Sequence, residues 1–141
     1  SDPFCVNRHR DSFLQLIKNG IDILFCNEDE IKSLFGTDDA EDAFEKCKTL
    51  CETVVVTRGA KGAVAICGET RYEIPAAPLN RVIDTTGAGD LFAAGYLTGL
   101  SQNRPVSECL QMGALAAAEI ISHYGARPEV SLSDLMAKKV G

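Results

Sequence analysis

Apolar positions along the chain follow two periods, and the chain switches between them repeatedly. Phe13, Leu14, Leu16 and Ile17 recur at helical spacing within Arg10 to Lys18, with Gly20 as the stop signal. Ile21 to Cys26, broken only by Asp22, is a continuous apolar run that predicts a strand buried on both faces, and Asn27 then opens another helix. Asp38 to Leu50 predicts a further helix. The β-branched run Val54-Val-Val-Thr57 predicts a strand that ends in a turn at Arg58 to Gly62. Ala63 to Cys67 and Arg71 to Ile74 predict short antiparallel strands around Gly68, and Phe4 to Val6 predicts the end of an earlier strand. Val82 and Ile83 form a short apolar strand that enters a glycine-rich turn, after which small and apolar residues from Leu91 to Leu100 predict a helix. Pro105 starts a long helix to about His123, and Ser131 to Lys138 predicts a last one, capped by Ser131 or Ser133. Strands alternating with helices predict an α/β fold with a mostly parallel sheet and helices on its faces.

Composition narrows the function classes. A chain of 141 residues that is 45% hydrophobic suffices for one compact domain. The formal charge of −6 and the lack of a dense Lys/Arg run argue against nucleic acid or an anionic membrane as the partner. Six scattered cysteines, several inside apolar runs, read as reduced thiols of a cytoplasmic protein. Cys47 and Cys51 have helical spacing, but no second pair follows at a zinc spacing, so a core role is favoured over a metal site. The start carries no signal-peptide pattern, and the apolar stretch Met112 to Ile121 is short and interrupted by Glu119, so no membrane segment is expected.

Candidate chemistry gathers at four places. In Asp84-Thr-Thr-Gly-Ala-Gly-Asp90, residues Gly87, Ala88 and Gly89 can aim successive backbone N–H groups at one point, and the helix that follows favours negative charge at its start. Asp90, on the rim, suits a base that removes a proton from a hydroxyl, or serves only as a helix cap. Asn27 and Glu30 place an amide and a carboxylate on the first turn after a strand, a spacing that also makes a capping box. Thr57-Arg-Gly-Ala-Lys-Gly62 offers a hydroxyl, two cations and two glycines that suit nucleotide phosphates. It lacks the Gly-Lys-Ser/Thr ending of a Walker motif, and read without context a glycine turn between two strands, with Arg58 and Lys61 solvated, is the more common explanation. Gly113-Ala-Leu-Ala-Ala-Ala118 presents small side chains, for close helix packing or for a flat ring.

Asp84 to Asp90 followed by Phe92-Ala-Ala-Gly95, together with Asn27-x-x-Glu30 and Thr57-x-Gly-x-x-Gly62, resembles the ribokinase-like (PfkB) sugar and nucleoside kinases. The resemblance implies a three-layer α/β/α fold of which residues 1–141 are the C-terminal portion, the substrate-pocket half and lid lying earlier. It implies that Gly87, Ala88 and Gly89 form an anion hole and that Asp90 is the catalytic base. Asn27, Thr57, Arg58, Gly59, Lys61 and Gly62 would face ATP, and Glu30 would help hold Mg2+ through water. Some relatives bind a monovalent cation such as K+ beside the loop of Asp84 and Thr86, near the stretch from His123 to Gly125. Family members often carry Asn or His near Ala114 against the adenine, and this chain departs there. The implied acceptor is a small-molecule sugar or nucleoside, in a cytoplasmic enzyme that can be a homodimer at full length. Ser1-Asp-Pro-Phe4, Ile23 to Glu28 and Ala117 to Ile121 look closer to adenosine-kinase-like members than to ribokinase. A noncatalytic nucleotide-binding or interaction module of the same fold is the alternative.

Overall fold

Val54, Val55 and Val56 are wholly buried on consecutive positions, so both faces of their strand are covered and the sheet is centred on them. The computed structural model describes residues 3–78, 82–85, 87–123, 127–128 and 130–139. Two units divide the chain, residues 1–58 with 64–72 and residues 59–63 with 73–141.

The first unit begins with helix α1 (Pro3–Arg8), where the sequence predicted the end of a strand. Proline suits the first position of a helix, and Val6 enters the core while Phe4 is exposed, an apolar pattern too short to reveal its period. Helix α2 (Arg10–Gly20) carries Ile17 into the core and runs through Gly20, ending at an extended Ile21 instead of a glycine cap. Strand β1 (Ile23–Asn27) is only half-buried along its length, against the expectation of burial on both faces. Its place at the end of the strand order β1-β2-β3-β4 explains this, because an outer strand has a neighbour on one side only among the described residues. Helix α3 (Glu28–Phe35) follows without a loop. Helix α4 (Ala40–Cys47) is shorter than the predicted span, its start fixed by Asp39, whose carboxylate accepts from the Glu41 amide at 2.9 Å.

Strand β2 (Thr53–Thr57) pairs in parallel with β1, Ile23 opposite Thr53 and Asn27 opposite Thr57, after a crossover through α3 and α4. Val54 and Val56 share one cluster with Ile31, Leu34, Phe44, Cys47, Val64 and Ile66. Strands β3 (Ala63–Cys67) and β4 (Thr70–Ile74) complete the sheet as expected around Gly68. The six cysteines are free thiols.

The second unit holds α5 (Ala88–Ser101), α6 (Val106–Ile120) and α7 (Leu132–Lys139). Helices α5 and α6 touch through glycine: a Cβ on Gly95 would stand 2.5 Å from the Met112 carbonyl oxygen, and one on Gly113 would stand 2.8 Å from the Phe92 ring. The predicted strand at Val82 and Ile83 does not form. The amides of Ile83 and Asp84 instead donate to the Ile121 carbonyl at 2.8 and 3.4 Å, so this segment is satisfied by the end of α6. Ser131 fulfils one of the two capping readings, accepting weakly from the Asp134 amide at 3.5 Å. Among the described residues no helix is long and apolar enough to cross a membrane.

Candidate active site

In the first unit the ends of β1 and β2 bring the polar candidates together, because parallel pairing in register sets Asn27 beside Thr57. Asn27 is the N-cap of α3: its Oδ1 accepts from the Glu30 amide at 2.8 Å, and Glu30 Oε2 accepts from the Asn27 amide at 2.9 Å. This reciprocal box satisfies two amides that a helix start leaves open, so the spacing of Asn27 and Glu30 has a structural use. Glu30 is 9% exposed, with one carboxylate oxygen engaged at the helix start. A carboxylate so held suits water-mediated rather than direct contact with Mg2+, which keeps much of its hydration shell. Among the described residues no group of three or more His, Cys, Asp or Glu could hold a metal ion.

Thr57 ends β2, with its hydroxyl 3.5 Å from the Cys26 carbonyl oxygen across the ladder. Arg58, next in the chain, is part-buried: its Nε donates to Glu28 Oε2 at 2.9 Å, and its guanidinium lies 5.6 Å from the centre of the Phe44 ring. Arg71 lies 4.9 Å from the same ring and pairs with Glu41 at 2.6 Å. Arg58 is therefore not a solvated turn cation. Glu28 and Phe44 escaped the sequence reading, although a signal existed: if β1 and β2 are neighbours ending at Asn27 and Thr57, residues 28 and 58 are the first past each strand and carry opposite charge.

In the second unit Gly59, Ala60 and Lys61 form a single 3-10 turn closed by the Gly62 amide on the Gly59 carbonyl at 3.1 Å. Lys61 is exposed. Gly62 has φ +91, and a Cβ there would lie 2.0 Å from the Ile74 carbonyl oxygen, so the backbone requires glycine for the close approach of residues 74–76.

Before α5 the Ala88 amide, one of the three expected to face an anion, donates to the Thr85 carbonyl at 3.2 Å. Gly87 caps the helix at φ +79, and among the described residues no side-chain cap bond forms. Gly89 and Asp90 are exposed on the first turn, and a Cβ on Gly89 would meet nothing within 4 Å. A helix start of this kind favours negative charge, and the exposed Asp90 carboxylate stands on its first turn. Ala114 is half-buried on α6, while its neighbours Gly113 and Ala116 are taken up by helix packing, against Phe92 in the case of Gly113. The small-residue stretch thus has a packing role whatever Ala114 faces. Asp84 is tied to Ile121 through its amide, whereas Thr86 and Gly125 lie outside the described residues. His123 lies 3.0 Å from Glu119, one helical turn back.

Comparison with known proteins places this geometry. Residues 1–132 match the pfkB family carbohydrate kinases. The chain is 37% identical over 119 residues to a cytidine kinase of Thermococcus kodakarensis, covering 82% of this chain and 42% of that protein. It superimposes with a TM-score of 0.95 and 42% identity on an adenosine kinase of Sinorhizobium meliloti, covering 100% of this chain and 43% of the other. On the ribokinase of Arabidopsis thaliana solved with ribose and ATP, the TM-score is 0.76 at 32% identity, with coverage of 87% and 43%. The chain thus spans less than half the length of these relatives. Its fold is the ribokinase-like α/β fold, and the chain belongs to the pfkB family of carbohydrate kinases.

Proposed function

We propose that this chain is the C-terminal, nucleotide-binding part of a kinase that transfers the γ-phosphoryl group of ATP to a primary hydroxyl of a sugar or nucleoside. The observation that carries the reading is the start of α5, a glycine-capped helix N-terminus with no side-chain cap and an exposed carboxylate, Asp90, on its first turn. Phosphoryl transfer asks little covalent chemistry of a protein; it needs charge stabilised on the phosphoryl oxygens and a proton accepted from the attacking hydroxyl. The amides of Gly87 to Asp90 supply the first and the Asp90 carboxylate the second. Asn27, Thr57 and the turn from Gly59 to Gly62 hold the nucleotide. Glu30, fixed by its bond to the Asn27 amide, orients water toward Mg2+. When bound, that ion neutralises charge on the phosphates. The acceptor is a nucleoside or a related sugar, since adenosine and cytidine kinases stand beside a probable sugar kinase among the similar proteins. The acceptor pocket and its lid belong to the part of the fold that precedes these residues.

The experiment is a calorimetric titration of the 141-residue chain with Mg–ATP, run beside product assays on a panel of nucleosides and sugars. The expected result is weak nucleotide binding without turnover, because in-line positioning of the acceptor, worth up to roughly 7–11 kcal/mol, is missing. No binding of nucleotide refutes the site. Robust acceptor-dependent phosphorylation refutes the placement of the acceptor pocket outside the chain.

A further inference from the structure

Arg58 occupies a position that suits a phosphate contact, yet its Nε is bonded to a carboxylate and its guanidinium lies over an aromatic ring. Its Nε donates to Glu28 Oε2 at 2.9 Å, the two side chains being 14% and 17% exposed, and its guanidinium lies 5.6 Å over Phe44. Parallel pairing of Asn27 with Thr57 makes Glu28 and Arg58 the first residues past β1 and β2, so the ion pair fastens the first turn of α3 to the end of β2. That first turn also contains the Asn27–Glu30 box. A guanidinium that is part-buried, hydrogen-bonded to a carboxylate and stacked on an aromatic ring is held in one orientation. A phosphate approaching it would have to displace Glu28 and leave a poorly hydrated carboxylate behind.

We propose that Arg58 is a positioning residue: it acts through Glu28 to hold the Asn27–Glu30 turn against Thr57, and it does not touch the phosphates of the nucleotide. This rests on the nucleotide-binding reading above.

The test is a double-variant cycle on the 141-residue chain, with Mg–ATP affinity, the magnesium concentration for half-maximal binding, and the urea midpoint measured for wild type, Arg58→Lys, Glu28→Gln and the pair. Arg58→Lys keeps the charge but loses the Nε donor and the flat stacking surface. The positioning role predicts that each single variant weakens Mg–ATP binding about fivefold to tenfold and raises the magnesium requirement, with the double variant no weaker than the worse single one. If Glu28→Gln does not fold, Glu28→Asp takes its place in the same cycle. Near-normal binding by Arg58→Lys together with unchanged or tighter binding by Glu28→Gln would mean a direct phosphate contact and overturn the proposal. So would variants that lose stability yet bind Mg–ATP with wild-type affinity well below their melting transition. A wild-type chain that binds no Mg–ATP fails the nucleotide-binding reading itself, a result distinct from either.

Discussion

Replacing Gly62 with alanine tests how the turn after β2 is built. The residue sits at φ +91, where a side chain strains the backbone, and the added Cβ would fall 2.0 Å from the Ile74 carbonyl oxygen, 2.7 Å from the Pro75 carbonyl carbon and 2.8 Å from the Ala76 amide nitrogen. All three are backbone atoms, so no side chain can rotate aside, and either the turn or the end of β4 must shift. Strain at positive φ costs about 1–2 kcal/mol, and forcing a methyl into a packed site costs about 1–3 kcal/mol more. Gly59→Ala separates the two contributions, because Gly59 has φ +57 but nothing within 4 Å of its Cβ position. It should lose only the first, about 1–2 kcal/mol. Urea unfolding followed by circular dichroism measures both. With a slope near 2 kcal/mol/M, Gly62→Ala should lower the midpoint by roughly 1–2.5 M and Gly59→Ala by about 0.5–1 M. Equal midpoints for the two variants, or a Gly62→Ala midpoint at the wild-type value, would refute the steric account of this turn.

Two further predictions follow from packing and burial. Gly95→Ala should destabilise by about 2 kcal/mol or more in the same assay, since its Cβ would press on the Met112 backbone at 2.5 Å, whereas Gly20→Ala, with open space around it, should not destabilise; a harmless Gly95→Ala contradicts the α5 and α6 contact. Burial, with a smaller push from nearby Cys51, raises the Cys47 thiol from 9.0 to about 12. The unfolded chain then loses this proton first, so this thiol's contribution to stability is intact below about pH 9 and falls as pH rises toward about 12. Iodoacetamide labelling at pH 8, read by mass spectrometry, should find Cys47 protected in the native chain and labelled in urea, and rapid native labelling would contradict the burial.

The parts of the molecule written in local chemistry were legible in its sequence. Asn27 with Glu30 as a box and the valine run of β2 each depend on residues close in the chain, and each stands where spacing predicted it. Elements decided by distant partners were not. The run Phe4 to Val6 carries too few residues to separate helix from strand, and its helix is settled by Val6 packing into a core drawn from the whole first unit. Ile83 was expected in a strand because its side chain is apolar, but the Ile121 carbonyl, 38 residues on, claims its amide. The charge of Arg58 was visible, while its use by Glu28 required knowing that β1 and β2 are neighbours in register. The cap reading of Asp90 falls, because Gly87 is the N-cap of α5 and no side-chain cap bond forms there, but an exposed carboxylate on the first turn does not by itself separate a base from a charge that only favours the helix start.

That separation is the measurement that bears most directly on the central claim. In a complete kinase containing this chain, Asp90→Asn preserves the size of the side chain and most of its hydrogen bonds while removing the group that accepts the hydroxyl proton. Steady-state kinetics with ATP and the preferred acceptor, paired with nucleotide affinity by calorimetry, should show kcat reduced about 10²-fold or more and the affinity for ATP little changed. Turnover close to wild type in that variant would contradict the assignment of Asp90 as the base.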